Sequence, residues 1–223
     1  MLPVGQKARH DFPRFGLPRF ANRFPANVDE QVVEVQIDNG NTSRIDLCAS
    51  GLTRATIQTD FHCVTTWSFI GVEWSGVRFR DLFEQLTDSV SRENIVCAVF
   101  AAQDGYKTSL LREDMLADNV LIADSLDGHA LPIKHGAPLR LVAPNHYGYK
   151  NLKHLKKITF YSETPVIKRG VSAFLDHPRA RVRLEERARW VPGWLVRPLY
   201  QLLIQGTERK FRHAMQRYND KND

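Results

Sequence analysis

Nowhere in these 223 residues do 18 apolar residues run together, so no segment is predicted to cross a membrane as a helix. Cysteine is scarce: Cys48, Cys63 and Cys97 are an odd set of 3, which does not suit a disulfide framework. Nucleotide and metal signatures are missing too. There is no GxGxxG between a strand and a helix, no GxxxxGK phosphate loop and no HExxH pair. Without CxxCH there is no covalent haem site. Residues 1–20 lack the apolar core of a signal peptide and a twin-arginine pair, from which a cytoplasmic location is expected, with peripheral contact to a membrane left open.

What is present suffices for one good-sized domain with or without an appendage, since 43% of the residues are hydrophobic. The charge is unevenly placed. Residues 1–160 hold 18 basic and 18 acidic side chains, while residues 161–223 hold 13 and 7, the whole of the +6. The positive charge therefore belongs to the tail.

Short strands dominate the pattern. Residues 1–30 read as an irregular arm. Gln31 to Ile37 alternates apolar with polar residues, Asn39-Gly40 is a turn signal, and Arg44 to Leu47 would pair back. Further strands are expected over Arg54 to Thr59, Phe69 to a turn at Ser75-Gly76, Ile95 to Ala101, Tyr106 to Leu110, Val120 to Ala123, Leu139 to Ala143 and Lys157 to Tyr161. Phe79, Leu82, Phe83 and Leu86 have helical spacing, and Arg112 to Ala117 suggests a helical turn. This is an α+β, mainly β, domain rather than a doubly wound sheet. In the tail, Val171 to Asp176 precedes an Arg- and Glu-rich stretch, Arg179 to Trp190. Pro192-Gly193 breaks the chain, Pro198 suits a first helical turn, and Glu208 to Tyr218 is a basic helical pattern.

Three places carry candidate chemistry. Cys63 stands in Asp60-Phe61-His62-Cys63-Val64-Thr65-Thr66-Trp67-Ser68, in a loop after a strand, where a thiol can serve as a ligand. Cys48 and Cys97 lie in strand-like apolar segments and read as small buried hydrophobes. The run His135-Gly136-Ala137-Pro138-Leu139-Arg140 places a cation at a strand start. Tyr147-Gly148-Tyr149-Lys150-Asn151-Leu152-Lys153 follows. Taken alone, Arg140 could equally be a surface charge, and Lys153, Lys156 and Lys157 a solvated edge. His129 and His154 read as structural or exposed. His62 and His146 adjoin these motifs and could line a cleft. Trp67, Trp74 and Tyr147 suit a core or wall.

These three segments together resemble the molybdopterin-binding oxidoreductase domain of the sulfite oxidase family, over Phe12 to Ser162. The resemblance implies a sulfite oxidase-type fold over 1–162, followed by a helical basic extension over 163–223. It implies a molybdenum–molybdopterin cofactor with Cys63 as the metal's thiolate ligand. His135, Arg140, Asn151, Leu152 and Lys153 would bind the pterin and its phosphate. Phe12-Pro13-Arg14-Phe15-Gly16-Leu17-Pro18 resembles the arm that runs over the pterin, so Arg14, Phe15 and Gly16 join the cofactor set. Tyr147 stands near the substrate position. The residues after Cys63, with no arginine among Val64 to Ser68, are closer to the bacterial methionine-sulfoxide reductase catalytic subunits than to true sulfite oxidases, so sulfite is not assigned.

The implied function is two-electron oxygen-atom transfer on a small molecule. A monomer is expected, exchanging electrons with a separate protein that is soluble or membrane-associated. A different reading makes the chain a basic binding protein, with Arg179, Arg181, Arg183, Arg187 and Arg189 docking nucleic acid or an acidic partner. No nucleic-acid motif supports it. The tail's apolar residues, Trp190, Trp194, Leu195, Leu199, Tyr200, Leu202, Leu203 and Ile204, either pack on the domain or meet a membrane or a membrane redox subunit.

Overall fold

The computed structural model describes residues 1–86, 89–165 and 176–222. Two sheets form the body. In the first, β2 (Val32–Ile37) turns through Asn39-Gly40 into β3 (Thr42–Asp46), and β2 runs parallel to β11 (Leu155–Tyr161). Antiparallel β6 (Cys97–Ala102) and β7 (Lys107–Leu111) complete it. The second sheet is built on the long hairpin of β4 (Arg54–His62) and β5 (Trp67–Arg78). It continues through β8 (Leu121–Leu126) to β10 (Arg140–Val142), with β9 (His129–Ala130) on β8 and β1 (Lys7–Arg9) parallel to the start of β5.

One core joins the sheets: Val35, Phe100 and Phe160 from the first meet Val77, Ile122 and Leu141 from the second. The helix α1 (Phe79–Leu86) buries Phe79, Leu82 and Phe83 into it and leaves Glu84 outside, the three- and four-residue spacing of one helical face. Short helices α2 (Ser89–Asn94) and α3 (Arg112–Met115) flank β6 and β7. The last element is α4 (Gly193–Asn222).

Four local expectations are corrected. Ser75-Gly76 is not a turn: β5 runs through it, with a register shift against β8. A Cβ on Gly76 would overlap the Ile122 carbonyl and stand 2.7 Å from Ala123 Cα, so the glycine answers to close strand approach. Cys97 is buried as expected, but Cys48 is exposed beyond the end of edge strand β3. The tail is one helix from Gly193 on, with Pro198 inside it rather than in its first turn; the Trp194 carbonyl consequently loses its donor. Before it, residues 176–192 are irregular. Ala180 and Glu185 sit at φ 61° and 53°, which breaks any helix there. Of Val171 to Asp176, residues 171–175 lie outside the described residues. The family resemblance and sheet content agree on an α+β fold with few helices and a C-terminal helix.

The tail is tied to the body. Val196, Tyr200, Thr207, Phe211 and Ala214 of α4 are buried. Phe211 and Ala214 pack on Ala21 and Phe24 of the N-terminal arm, and Arg9 pairs with Glu208. Among the described residues no helix is long and apolar enough to cross a membrane.

Gly76→Ala is expected to destabilise the protein by about 3 kcal/mol, because neither neighbour is a flexible side chain; a urea midpoint equal to the parent's would show that the strands can part there.

Candidate functional site

Cys63 is held by geometry on three sides. Residues 63–66 close the β4–β5 hairpin: the Cys63 amide donates to the Trp67 carbonyl at 2.8 Å and the Thr66 amide to the Cys63 carbonyl at 3.2 Å. The turn forces Thr66 to φ 75°, a costly conformation for a β-branched residue that persists only where the surroundings fix it. Those surroundings include Gln6, whose Nε2 donates to the Cys63 carbonyl at 3.0 Å. Gln6 in turn accepts from the Ser68 hydroxyl at 3.1 Å, and Ser68 pairs with His62 Nδ1 at 2.8 Å. From the tail, the fully buried Arg187 donates to the Val64 carbonyl at 2.6 Å and to the Val4 carbonyl at 3.2 Å, and it pairs with Glu185.

The sulfur itself lies 3.1 Å from Thr65 Oγ1. Burial pushes the Cys63 thiol up; the Thr65 hydrogen bonds and the charges of Arg187 and Lys153 pull partly the other way. A thiol in this position gives up its proton when a cation arrives beside it.

A cleft of about 350 Å³ opens on this loop. Cys63, Thr65 and Trp67 of the hairpin turn, Phe15 and Gly16 of the arm, and Arg140 and Lys153 all line it. Arg140 is 1% exposed, which removes its surface-charge reading. Its Nη1 donates to the His135 carbonyl at 2.8 Å and its Nη2 to the Asn151 carbonyl at 3.3 Å, and it lies 4.6 Å over the Trp74 ring. Lys153 Nζ meets only carbonyls, of Lys134 at 3.0 Å and Phe15 at 3.4 Å. Gly136, at φ 117°, lets these two cations approach: a Cβ there would sit 3.0 Å from Lys153 Cβ and 3.2 Å from Arg140 Cβ.

None of Arg14, Arg140 and Lys153 has an ion-pair partner among the described residues. Burial pulls Arg140 down to about 9 and Arg14 to about 10, and holds Lys153 well below the usual lysine range. Asp104 lies near Arg14 and Lys153 without pairing, and burial raises its own carboxyl. The buried Arg140 Nε, Arg14 Nε, His135 Nδ1 and Trp67 Nε1 make no hydrogen bond. A wall of uncompensated cations and unused N–H groups suits an anionic, polar heterocycle. Among the described residues no three His, Cys, Asp or Glu side chains come together to hold a metal. A metal at Cys63 would take its remaining ligands from such a group.

The other candidates occupy different places. Arg14 lies beside the cleft, its Nη1 donating to the Ala21 carbonyl at 2.8 Å and its guanidinium 4.2 Å over Phe24, so its planar fork organises the arm. His135 is buried and stacks on Phe12 at 4.3 Å. Asn151 bridges the Ala143 backbone, accepting from its amide at 2.8 Å, and Leu152 is core. Tyr147 is fully buried under Arg187 at 4.8 Å, with its hydroxyl near Gln6 outside hydrogen-bonding geometry. Tyr149 faces the cleft instead. His62 and His146 do not line it: His62 pairs with Ser68, and His146 lies 3.5 Å from Asp114. Gln6, Arg187 and the α4 residues Tyr200, Leu203 and Thr207 were not legible as site residues, since no local pattern links them to Cys63. The arginine stripe also dissolves: Arg179 pairs with Asp114, Arg181 with Glu186 and Arg187 with Glu185.

Two outcomes follow. Arg187→Met leaves the Val64 and Val4 carbonyls without their donor and Glu185 without its buried partner; stability is expected to fall by about 3 kcal/mol, read by denaturant unfolding. Burial, then the charges of Lys153 and Arg140, hold His135 down at about 2, and burial holds His154 at about 4. Both therefore bind protons more readily unfolded. Their neutral-state stability is complete above 6.5 and lost as pH falls, by at most about 1.4 kcal/mol per pH unit per histidine. Thermal midpoints of cofactor-free protein should decline from pH 6.5 to 4; a flat profile would contradict the burial.

Residues 23–166 match the family described as oxidoreductase molybdopterin binding domain. The Bacillus subtilis oxidoreductase YuiH is 37% identical over 106 residues, covering 48% of this chain and 52% of YuiH. The protein-methionine-sulfoxide reductase catalytic subunit MsrP of Campylobacter jejuni is 31% identical over 119 residues, covering 47% of this chain and 40% of MsrP. The chain thus spans about half the length of the curated relatives it matches. The sulfane dehydrogenase SoxCD of Paracoccus pantotrophus shares the fold, at TM-score 0.55 and 19% identity, over 70% of this chain and 45% of that one. With a family match over most of its length, a shared fold and a cleft suited to an anionic pterin, the chain belongs to the oxidoreductase molybdopterin binding domain family, of the sulfite oxidase type, and its cofactor is molybdenum–molybdopterin.

Proposed function

We propose that the protein catalyses two-electron oxygen-atom transfer on a small molecule, with Cys63 as the metal's thiolate ligand. The observation that carries this reading is one cleft joining the Cys63 loop to the unpaired cations Arg140 and Lys153. When bound, the cofactor supplies a redox metal able to exchange an oxygen atom and two electrons. The chain's own residues do the rest. The hairpin turn and Gln6 fix the direction of the Cys63 sulfur. Arg140 and Lys153 would offer charge to the pterin phosphate, with the His135 and Asn151 carbonyls holding the Arg140 guanidinium from behind. Phe15 and Gly16 would cover the pterin from the arm, and Phe12, Phe61 and Trp67 line the cleft with Cys63 as aromatic surface. Tyr147, held under Arg187, supports the wall behind Tyr149.

The substrate class follows from two supports. Relatives are named protein-methionine-sulfoxide reductase catalytic subunits, and Leu17, Tyr200 and Leu203 add apolar surface to the cleft lining, which suits a thioether-like group bearing oxygen. Electrons would pass to or from a separate protein, since the sequence has no haem, flavin or nicotinamide signature. We place the enzyme, as a monomer, in the cytoplasm; its three unpaired cysteines support a reducing compartment. The body, 1–162, and the extension, 163–223, are proposed as the two units of the chain.

The test is metal and pterin analysis of protein made in a host that assembles the cofactor. One molybdenum per chain is expected, and Cys63→Ser should lose the sulfur-ligated absorption and turnover while retaining the fold. Lys153→Met should release the cofactor and leave the denaturant midpoint of the cofactor-free protein near the parent's, since Lys153 is half-buried and joins no ion pair among the described residues. Parent protein without molybdenum, or a Cys63→Ser variant with unchanged spectrum, would sink the assignment.

A further inference from the structure

The outward face of α4 takes no part in the cleft. Trp194 is 61% exposed, Leu195 51%, Leu199 45% and Leu202 81%, and Trp190, just before the helix, is 76% exposed. Leu195, Leu199 and Leu202 fall on one side by their four- and three-residue spacing. Val196, Tyr200, Thr207 and Phe211 fall on the other and are buried against the body. The exposed leucines therefore point away from the protein, and clustered apolar side chains of this size mark a contact surface.

The same side of the helix changes character further on. Arg209 lies two turns beyond Leu202, followed by Arg212 and His213, all exposed. Arg209, Lys210 and Arg212 join no ion pair among the described residues. Glu208 is the sole acidic residue from 188 to 219, and Arg9 neutralises it. The outer face is thus apolar for its first turns and cationic for its last, with no exposed acid between.

We propose that this face docks on the surface of an anionic lipid bilayer. Trp190, Trp194, Leu199 and Leu202 enter the boundary between headgroups and acyl chains, and Arg209, Lys210 and Arg212 meet lipid phosphates. Indoles favour that boundary because one end is apolar and the other a hydrogen-bond donor. Nucleic acid would satisfy the arginines but leave the leucines in water. A second copy would bring like charges together. The helix lies on the surface rather than crossing it, since its opposite side belongs to the protein. Tyr200, Leu203 and Thr207 line the cleft from the same helix. The proposal is independent of the chemistry at Cys63.

The experiment is flotation of the full chain with vesicles of phosphatidylcholine alone and with added phosphatidylglycerol. Binding to the anionic vesicles is expected to exceed binding to the neutral ones by at least about tenfold at low salt, and to weaken with added salt. Tryptophan emission should shift to shorter wavelength on binding, and Trp190→Phe with Trp194→Phe should remove that shift. Leu199→Asp with Leu202→Asp should cut binding by about tenfold or more at unchanged melting temperature, since both positions are exposed. Absence of binding to anionic vesicles, or aspartate variants that bind like the parent, would overturn the proposal. So would a dimer that the aspartates dissolve in a protein that ignores vesicles, because that result gives the face to a second copy.

Discussion

Burying positive charge without a counter-ion shapes this molecule more than any other feature. Arg14, Arg140 and Lys153 lie within or beside one cleft, and their donors reach only backbone carbonyls. Desolvation makes each of them costly in the empty protein. A fold that relied on these groups for its own stability would have placed carboxylates among them. The nearest, Asp104, stands off and pairs with none. The charge is balanced when an anion enters, so the free energy of filling the cleft includes the relief of this repulsion.

The thiol in the same cleft follows the same logic with the sign reversed. Burial disfavours its ionised form, and a metal cation restores it. The cleft thus holds anion-seeking cations and a cation-seeking sulfur together. The hairpin that presents the sulfur is strained at Thr66 and fastened by Gln6 and Arg187, which come from opposite ends of the chain. The tail is therefore part of the site's scaffold as well as a covering helix, and its outward face is free for a contact of its own.

Several parts of this arrangement were legible in the sequence. Apolar alternation marked β2, and Asn39-Gly40 marked the first hairpin, because those signals are local. The helical spacing of Phe79, Leu82 and Phe83 marked α1. The segments at Cys63, Arg140 and Lys153 stood out through their resemblance to a known family, while taken alone Arg140 and Lys153 could equally have been solvated charges. Other readings failed where long-range contact overrode local preference. Gly76 resembles a turn residue, yet it serves a crossing of two strands. Pro198 resembles a helix start, yet packing of Val196 and Tyr200 holds the helix through it. The five-arginine stripe resembled a docking surface, yet acids at Asp114, Glu185 and Glu186 neutralise three of its members.

The sequence by itself determined the strand set, the placing of the net charge in the tail, and the residue types that anion binding and metal ligation require. The first two are written in composition and short spacings, and the third in the resemblance of three short segments to a known family. Only the tertiary structure decided that Arg140 is buried rather than solvated, that Tyr149 and not Tyr147 faces the cleft, and that Gln6 and Arg187 meet at the Cys63 loop. The physical reason is distance along the chain. Contacts such as Arg187 to Val64 join residues far apart in sequence, and which of many possible partners a side chain meets is fixed by the packing of the whole core, not by any local pattern.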